Sequence, residues 1–454
     1  MQINDGIRGK KDISNRTLMI AVILVHAGFF IYCLLWGNIY VGDYKEYIAQ
    51  AENIMNHGNW YAGDLNEKIN PDLYSRRPPL YGFAIFVIKS VVNTDYAVTF
   101  VQSCLSILNI AGLLKLLKNH RFGIPRNKIL LAILLFYPSQ FIYCNFIMSE
   151  IFFQTLLFWS FFYFVRFIRD CKASDALVFN ILLALAALTK PVLYLFWILN
   201  TVLVLIFILK TKGKFAPALF SLIPPAAVLA ICLYNYANTG YFHYSSLRHS
   251  NILEFHSRYL IINESGLDSA IRKNEAEIAA LDTITDHRTR SLETERLGRE
   301  VIMDNFGNYM RFYIRGGINF FTDPGRFDIG EFFGISPPKG AGIYYRYLKD
   351  GYKGVIQYLL ELPLLFIAYL GAVFLINMLL IASSVSFVFD KHNNVYVRMY
   401  FLLLILYLCA MTGIVGALRY KLPVLIMMLY AIPFFADRLF AYNNRRKISR
   451  ERSV

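Results

Sequence analysis

Long stretches of this chain carry no charge. Thr17–Trp36, Ile151–Val165, Ala176–Thr189, Val192–Leu209, Phe215–Tyr234, Leu362–Phe389, Met399–Leu418 and Leu422–Ala436 contain no Asp, Glu, Lys or Arg. A helix that spans a bilayer needs roughly 20 mostly apolar residues. Several of these runs reach that length, and the shorter ones have uncharged or snorkelling ends. No soluble fold calls for so many. The pattern predicts an all-α polytopic membrane protein with ten or eleven crossings.

The polar stretches between the runs divide the chain. The first run follows a basic leader (Arg8, Lys10, Lys11, Arg16), as in a signal peptide. It lacks a small-x-small cleavage site and further spans follow, so it reads as a retained helix at 17–39 after a cytoplasmic segment 1–16. Residues 40–78 form a polar first loop, 79–234 a helical membrane core, 235–355 a large hydrophilic loop, 356–437 the last membrane helices and 438–454 a basic tail. The span 79–118 is long enough for two passes but must cross once; an interfacial piece at Leu80–Val92 followed by a full helix from Tyr96 satisfies both. Within the large loop, Glu264–Asp304 holds ten acidic and six basic residues, and Leu267, Ile271, Ile278, Ala279 and Leu281 recur at near-helical spacing. That segment reads as a solvated helical hairpin over the membrane mouth.

Composition and charge add orientation. Only 17% of the 454 residues are charged, against about 25% in soluble chains. A net charge of +15 would suggest a nucleic-acid partner in a soluble protein. Here the basic residues gather at Lys118–Lys128, Arg166–Lys172, Lys210–Lys214 and Arg438–Arg452, between or beyond the apolar runs. The positive-inside rule reads these as cytoplasmic and leaves nucleic acid without a role. Residues 40–78 and 235–355 then face the opposite side. The six cysteines are far apart with no CxxC spacing, which predicts neither a thiolate metal site nor a disulfide framework.

Polar groups at the outward ends of the apolar runs carry the candidate chemistry, because charge near a membrane is costly. Asp43 follows the first helix and precedes an amphipathic segment containing Tyr47, Ala51 and Ile54; as a plain alternative it caps that segment. Tyr74-Ser75-Arg76-Arg77-Pro78-Pro79-Leu80-Tyr81 places two outward arginines on a backbone pinned by prolines. Arginine forks suit phosphate oxygens, although they also touch lipid head groups nonspecifically. Glu150 opens an apolar helix, where the helix dipole alone would favour it. Lys190, in Thr189-Lys190-Pro191, and Arg419-Tyr420-Lys421-Leu422-Pro423 add outward cations that could simply snorkel. Two carboxylates and several cations on one face suit transfer from a phosphate leaving group: a carboxylate takes the acceptor proton and the cations hold the departing phosphate.

The ordered set resembles the polytopic C-type (GT-C) glycosyltransferases, particularly the protein O-mannosyltransferase and lipid A aminoarabinose transferase group. The matching elements are Asp43 with Tyr47, Arg77-Pro78-Pro79-Leu80-Tyr81, Met148-Ser149-Glu150, Thr189-Lys190-Pro191, Pro225 through Asn235 to Gly240, and Arg419–Pro423. Tyr234 stands where relatives often carry Arg, which puts that cation's role in doubt here. The resemblance implies an inverting membrane glycosyltransferase that uses a polyprenyl-phosphate sugar at the extracytoplasmic face of the cell membrane. Its acceptor would be a lipid, a glycan or a protein. Asp43 would be the base; Arg76, Arg77, Lys190, Arg419 and Lys421 would bind the donor phosphate. Glu150 would position the acceptor or share a divalent ion with Asp43. Tyr47, Tyr74, Tyr81, Asn235 and Tyr420 would line the substrates. No cofactor is required on this reading, and a divalent metal stays open.

Two other classes compete. A flippase or transporter of lipid-linked sugars should show internal pseudo-repeats or mid-helix charges, and the sequence has neither. A polysaccharide polymerase or ligase would use outward arginines and histidines such as His243, His249 and His256, leaving Asp43 incidental. A scaffold would not require polar groups gathered at one face.

Overall fold

The computed structural model describes residues 12–118, 120, 122, 124–211, 215–257, 260–261, 275–277, 279–281, 283–335 and 343–451. Among these the secondary structure is entirely helical. The first ten helices are α1 (Asn15–Trp36), α2 (Tyr44–His57), α3 (Asp72–Ser75), α4 (Leu80–Val91), α5 (Asp95–Leu117), α6 (Arg126–Leu135), α7 (Ser139–Cys144), α8 (Glu150–Asp170), α9 (Ala173–Ala187) and α10 (Phe196–Thr211). Six helices among the described residues are long and apolar enough to cross a membrane: α1, α5, α8, Ala216–Thr239, Leu364–Val388 and Leu418–Tyr442. Four shorter apolar helices, α4, α9, α10 and Val395–Met411, accompany them.

The short-then-long division of 79–118 takes the form of α4 and α5, broken where Thr94 caps α5 and Asp95 opens it. One expected helix is not continuous. The run that leads to Glu150 breaks into α6 and α7 at Pro138, which cannot extend a helix through its own missing N–H. The chain then runs irregularly to Ser149, and the carbonyl of Ile39 accepts from the Ile147 backbone N–H at 3.0 Å. The large loop is not uniformly hydrophilic either. Its helix Phe306–Thr322 packs on Leu364–Val388, Val395–Met411 and Leu418–Lys421, burying Gly316 and Phe320. Of the expected hairpin, Leu267, Ile271 and Ile278 lie outside the described residues, and His287–Asp304 is a helix.

Helix α8 is the centre of the bundle. It packs on α5, α9, Val395–Met411 and the last helix, and 72% of its most apolar stretch is buried. The same share is 22% in α1 and in Leu364–Val388, whose outward Leu364 and Leu365 are exposed as lipid-facing residues must be. Glutamine side chains inside the bundle pair with one another, because an unpaired amide in an apolar interior is costly. Gln140 and Gln154 exchange hydrogen bonds at 2.7 and 3.0 Å, and Gln154 also donates to the Leu422 carbonyl at 2.6 Å. That last bond ties α8 to the segment carrying Arg419.

Candidate active site

Five helix ends meet at one end of the bundle, and local backbone chemistry explains four of them. Gly42 has φ +64°, a left-handed turn that a side chain would strain, and it sets Asp43 at the start of α2. Arg77 and Lys190 each precede a proline, which disfavours helical backbone. Lys190 is accordingly extended (φ −134°, ψ 132°) as the chain leaves α9. Two links draw these ends together: the Leu80 N–H donates to the Leu188 carbonyl at 3.1 Å, and Gln50 Nε2 donates to the Trp60 and Arg77 carbonyls, each at 3.1 Å. On the far wall, Asp323 Oδ2 accepts from the Leu418 N–H at 2.7 Å and caps the turn that presents Arg419.

The side chains form a cage of ion pairs. Asp43 Oδ1 meets Arg77 at 2.9 Å, and Asp43 Oδ2 pairs with Arg419. Glu150 Oε1 accepts from Lys190 Nζ at 2.7 Å and from Arg419 Nε at 2.5 Å. Glu46 pairs with Arg76 at 3.0 Å and with Arg77. Arg77 lies over the Tyr47 ring, 5.4 Å from its centroid, while the Tyr47 and Ser149 hydroxyls are 3.0 Å apart. Arg419 lies 5.9 Å from the Tyr420 ring, and Tyr81 stacks edge-on against Tyr47 at 4.8 Å.

Asp43 occupies the N-cap position of α2 but makes no capping hydrogen bond; its carboxylate goes to the two guanidiniums. Glu150 is fully buried with two cations on one oxygen, which the helix dipole alone does not require. Its other oxygen, Oε2, is buried without a hydrogen-bond partner. An unpaired buried carboxylate oxygen is costly and marks a place where a ligand group would be favoured.

Electrostatics follow from this packing. Burial alone would raise the Asp43 carboxyl, but Arg419 and Arg77 overcome it and hold it at about 2. Burial pushes the Lys190 ammonium below its usual range, with Glu150 pulling back. Burial also lowers the charged form of Arg77, yet Tyr47, Asp43 and Glu46 more than offset it and keep the group protonated. Asp328, in the helix Arg326–Phe332, is raised by burial to about 6 close to Arg419 and Glu150.

Not every candidate joins the cage. Lys421 is fully buried elsewhere, donating to the Asn377 side chain at 2.7 Å and the Phe321 carbonyl at 2.9 Å. At about 100° per residue, side chains two positions apart on a helix point to nearly opposite faces, so Arg419 and Lys421 cannot both reach one phosphate. Asn235 donates to the His243 and Tyr244 carbonyls, both at 2.9 Å, and so holds a loop. Tyr74 packs on Tyr61 at 4.8 Å and lines a crevice with Trp60, Tyr234 and Asn235. Tyr234 stacks on Trp60 at 4.6 Å, an aromatic role rather than a cationic one. His243 and His249 gather with His287 around Asp72 and Ser75, while His256 bonds Tyr309, so none enters the cage. Sequence reading missed Glu46, Gln50, Asp323 and Asp328. Glu46 alone had a signal, lying three residues after Asp43 and so on the same side of α2.

The carboxylates of the cage are taken up by cations. Asp43 and Glu150 each hold two cations, and among the described residues no group of three or more His, Cys, Asp or Glu is arranged for a metal.

No protein-family model and no curated protein matches the chain. Solved structures align with it, among them two of one protein. ArnT from Cupriavidus metallidurans bound to undecaprenyl phosphate is 11% identical, with a TM-score of 0.38 over 93% of this chain and 77% of that one. The apo state of the same protein is 12% identical, with a TM-score of 0.38 over 93% and 76%. ArnT is a lipid A aminoarabinose transferase, within the group the motifs resemble. A likeness this loose carries no functional argument; the site geometry has to supply one.

Proposed function

We propose that this chain is a membrane glycosyltransferase with a GT-C-like architecture. It moves a sugar from a polyprenyl-phosphate donor to a lipid, glycan or protein acceptor at the extracytoplasmic face. The observation that carries the reading is the cage itself: Asp43, Glu46 and Glu150 interlaced with Arg76, Arg77, Lys190 and Arg419 at one end of an apolar bundle. A transporter has no need of a carboxylate between two guanidiniums at a helix mouth, whereas phosphate-departure chemistry needs both charges.

In the resting cage Asp43 at about 2 is too weak a base to take a hydroxyl proton. A donor phosphate that engages Arg77 and Arg419 displaces the Asp43 carboxylate from them, and the Asp43 pKa rises as its cations are taken. The donor thus switches on the base. The acceptor hydroxyl attacks the anomeric carbon from the face opposite the phosphate, and its proton passes to Asp43. The sugar–phosphate C–O bond breaks with its electron pair, and polyprenyl phosphate leaves paired with Arg77, Arg419 and Lys190. The anomeric centre inverts. Glu150 Oε2, unpartnered and buried, is placed to accept from an acceptor or sugar hydroxyl.

The test is purified protein incubated with a panel of polyprenyl-phosphate sugars, reading free polyprenyl phosphate. Release with at least one donor, lost in Asp43→Asn, is the expected result; no release from any donor by well-folded protein would overturn the reading.

A further inference from the structure

At the opposite end of α8 lies a cavity of about 650 Å³ that the transfer reaction does not use. Helix α8 has 21 residues, so at 1.5 Å per residue this end is about 30 Å from Glu150. Its cations come from separate elements: Lys115 and Lys118 at the end of α5, Arg166 and Arg169 from α8, and Lys172 from the following turn. Its floor is apolar and aromatic, formed by Leu116, Phe162, Val165, Val397 and Tyr430. The turn His392-Asn393-Asn394 closes the other side with polar donors.

Two of the five cations are neutralised, Arg166 by Asp175 at 3.2 Å and Arg169 by Asp170 at 2.7 Å. Lys115 lies 5.7 Å from the Phe162 ring centroid. Among the described residues, none of Lys115, Lys118 and Lys172 forms an ion pair with a carboxylate. The positive-inside rule accounts for basic residues spread along loops at this end. It does not account for their convergence on one concavity with an aromatic floor. Basic pockets between membrane helices at the cytoplasmic side suit anionic lipid head groups.

We propose that this cavity binds the phosphate of an anionic membrane phospholipid, with Lys118 and Lys172 on the phosphate and the apolar floor under the glycerol and first acyl carbons. The shared chemistry is a phosphate anion, and a free phosphate would have no use for the floor. A lipid seated here would tie α5, α8 and the segment Asp390–Asn394 together at the end remote from the cage.

The experiment is native mass spectrometry of the full-length protein exchanged into mixed phosphatidylglycerol and phosphatidylethanolamine. The wild type should retain phosphatidylglycerol preferentially. Near-surface lysines contribute about 1 kcal/mol each to anionic-lipid attraction, so K118Q/K172Q should cut that retention by about thirtyfold. K118R/K172R, which keeps the charge, should retain it. Unfolding temperature in lipid-free detergent should match the wild type in both variants, showing that the fold survives. Equal retention of the two lipids, or equal retention of phosphatidylglycerol by the wild type and K118Q/K172Q, would overturn the proposal. Displacement of the lipid by excess inorganic phosphate would also overturn it, assigning the cavity to a free anion.

Discussion

At Asp43 two requirements pull against each other. A base needs affinity for a proton near neutral pH, yet two guanidiniums hold this carboxyl at about 2. Donor binding resolves the conflict only if phosphate and Asp43 compete for the same cations. Asp43→Asn should therefore slow transfer by about 10²- to 10⁴-fold, the usual contribution of a general base, while membrane insertion stays normal. The sign of the stability effect follows from the depressed value. Because the folded pKa lies below the ordinary 3.8, ionised Asp43 stabilises the fold above about pH 4 and loses that effect as pH falls toward 2. Thermal unfolding in detergent should separate Asp43→Asn from the wild type at pH 7, with a gap that narrows at pH 3. Glu150 makes a different prediction. Glu150→Gln leaves Lys190 buried with no anion against its ammonium, and an unpaired buried charge costs about 3–5 kcal/mol. Its unfolding temperature should fall well below that of Asp43→Asn, and Glu150→Gln/Lys190→Met should recover part of the loss. Most cage members were legible in the sequence, because a charge at the end of an apolar run stands out. Glu46 was legible only through its spacing from Asp43 on one side of α2, and Asp328 was not, since it lies in the large loop away from the end of any apolar run. Lys421 was misread because composition was weighed without helical phase.

Among the elements, the cage depends on how helix ends are capped and tethered more than on the helices themselves. The Leu418–Lys421 turn begins after extended Ala417, which offers no side-chain cap; Asp323 reaches across from the end of Phe306–Thr322 to accept from Leu418. Loss of a cap costs about 1 kcal/mol, and here it also loosens the backbone that aims Arg419. Asp323→Ala should lower the unfolding temperature modestly and raise the donor KM, with the acceptor KM unchanged. An unaltered donor KM would show that Asp323 stabilises the turn without positioning Arg419. Such a tether joins residues 95 positions apart, and hydrophobic periodicity carries no trace of it. The α4–α5 division was legible because Asn93-Thr94-Asp95 interrupts an apolar run. The α6–α7 break was written in Pro138 but masked by apolar neighbours. The helix Phe306–Thr322, which packs on the last helices of the bundle, was hidden because Arg311 and Arg315 interrupt its apolar residues along the chain.

Across the whole molecule, charge is arranged at both ends of α8 in different ways. One end interlaces cations with carboxylates; the other leaves lysines facing a cavity. An excess of unpaired cations belongs at the cytoplasmic side, where positive charge is retained during insertion and anionic lipids are attracted. The cage end, nearly balanced, can sit where no such bias acts. On the proposed function Asn66, in the loop beside α2, would lie on the extracytoplasmic side and Lys172 in the cytoplasm. On a cysteine-free background, Asn66→Cys should react with a membrane-impermeant maleimide in intact cells, and Lys172→Cys only after permeabilisation. Both positions are exposed, so failure to label cannot be put down to burial. The reverse pattern would place the cage in the cytoplasm, where nucleotide-activated sugars are available. The ion pairs would stand, but the argument for a lipid-carried donor would lose its reason.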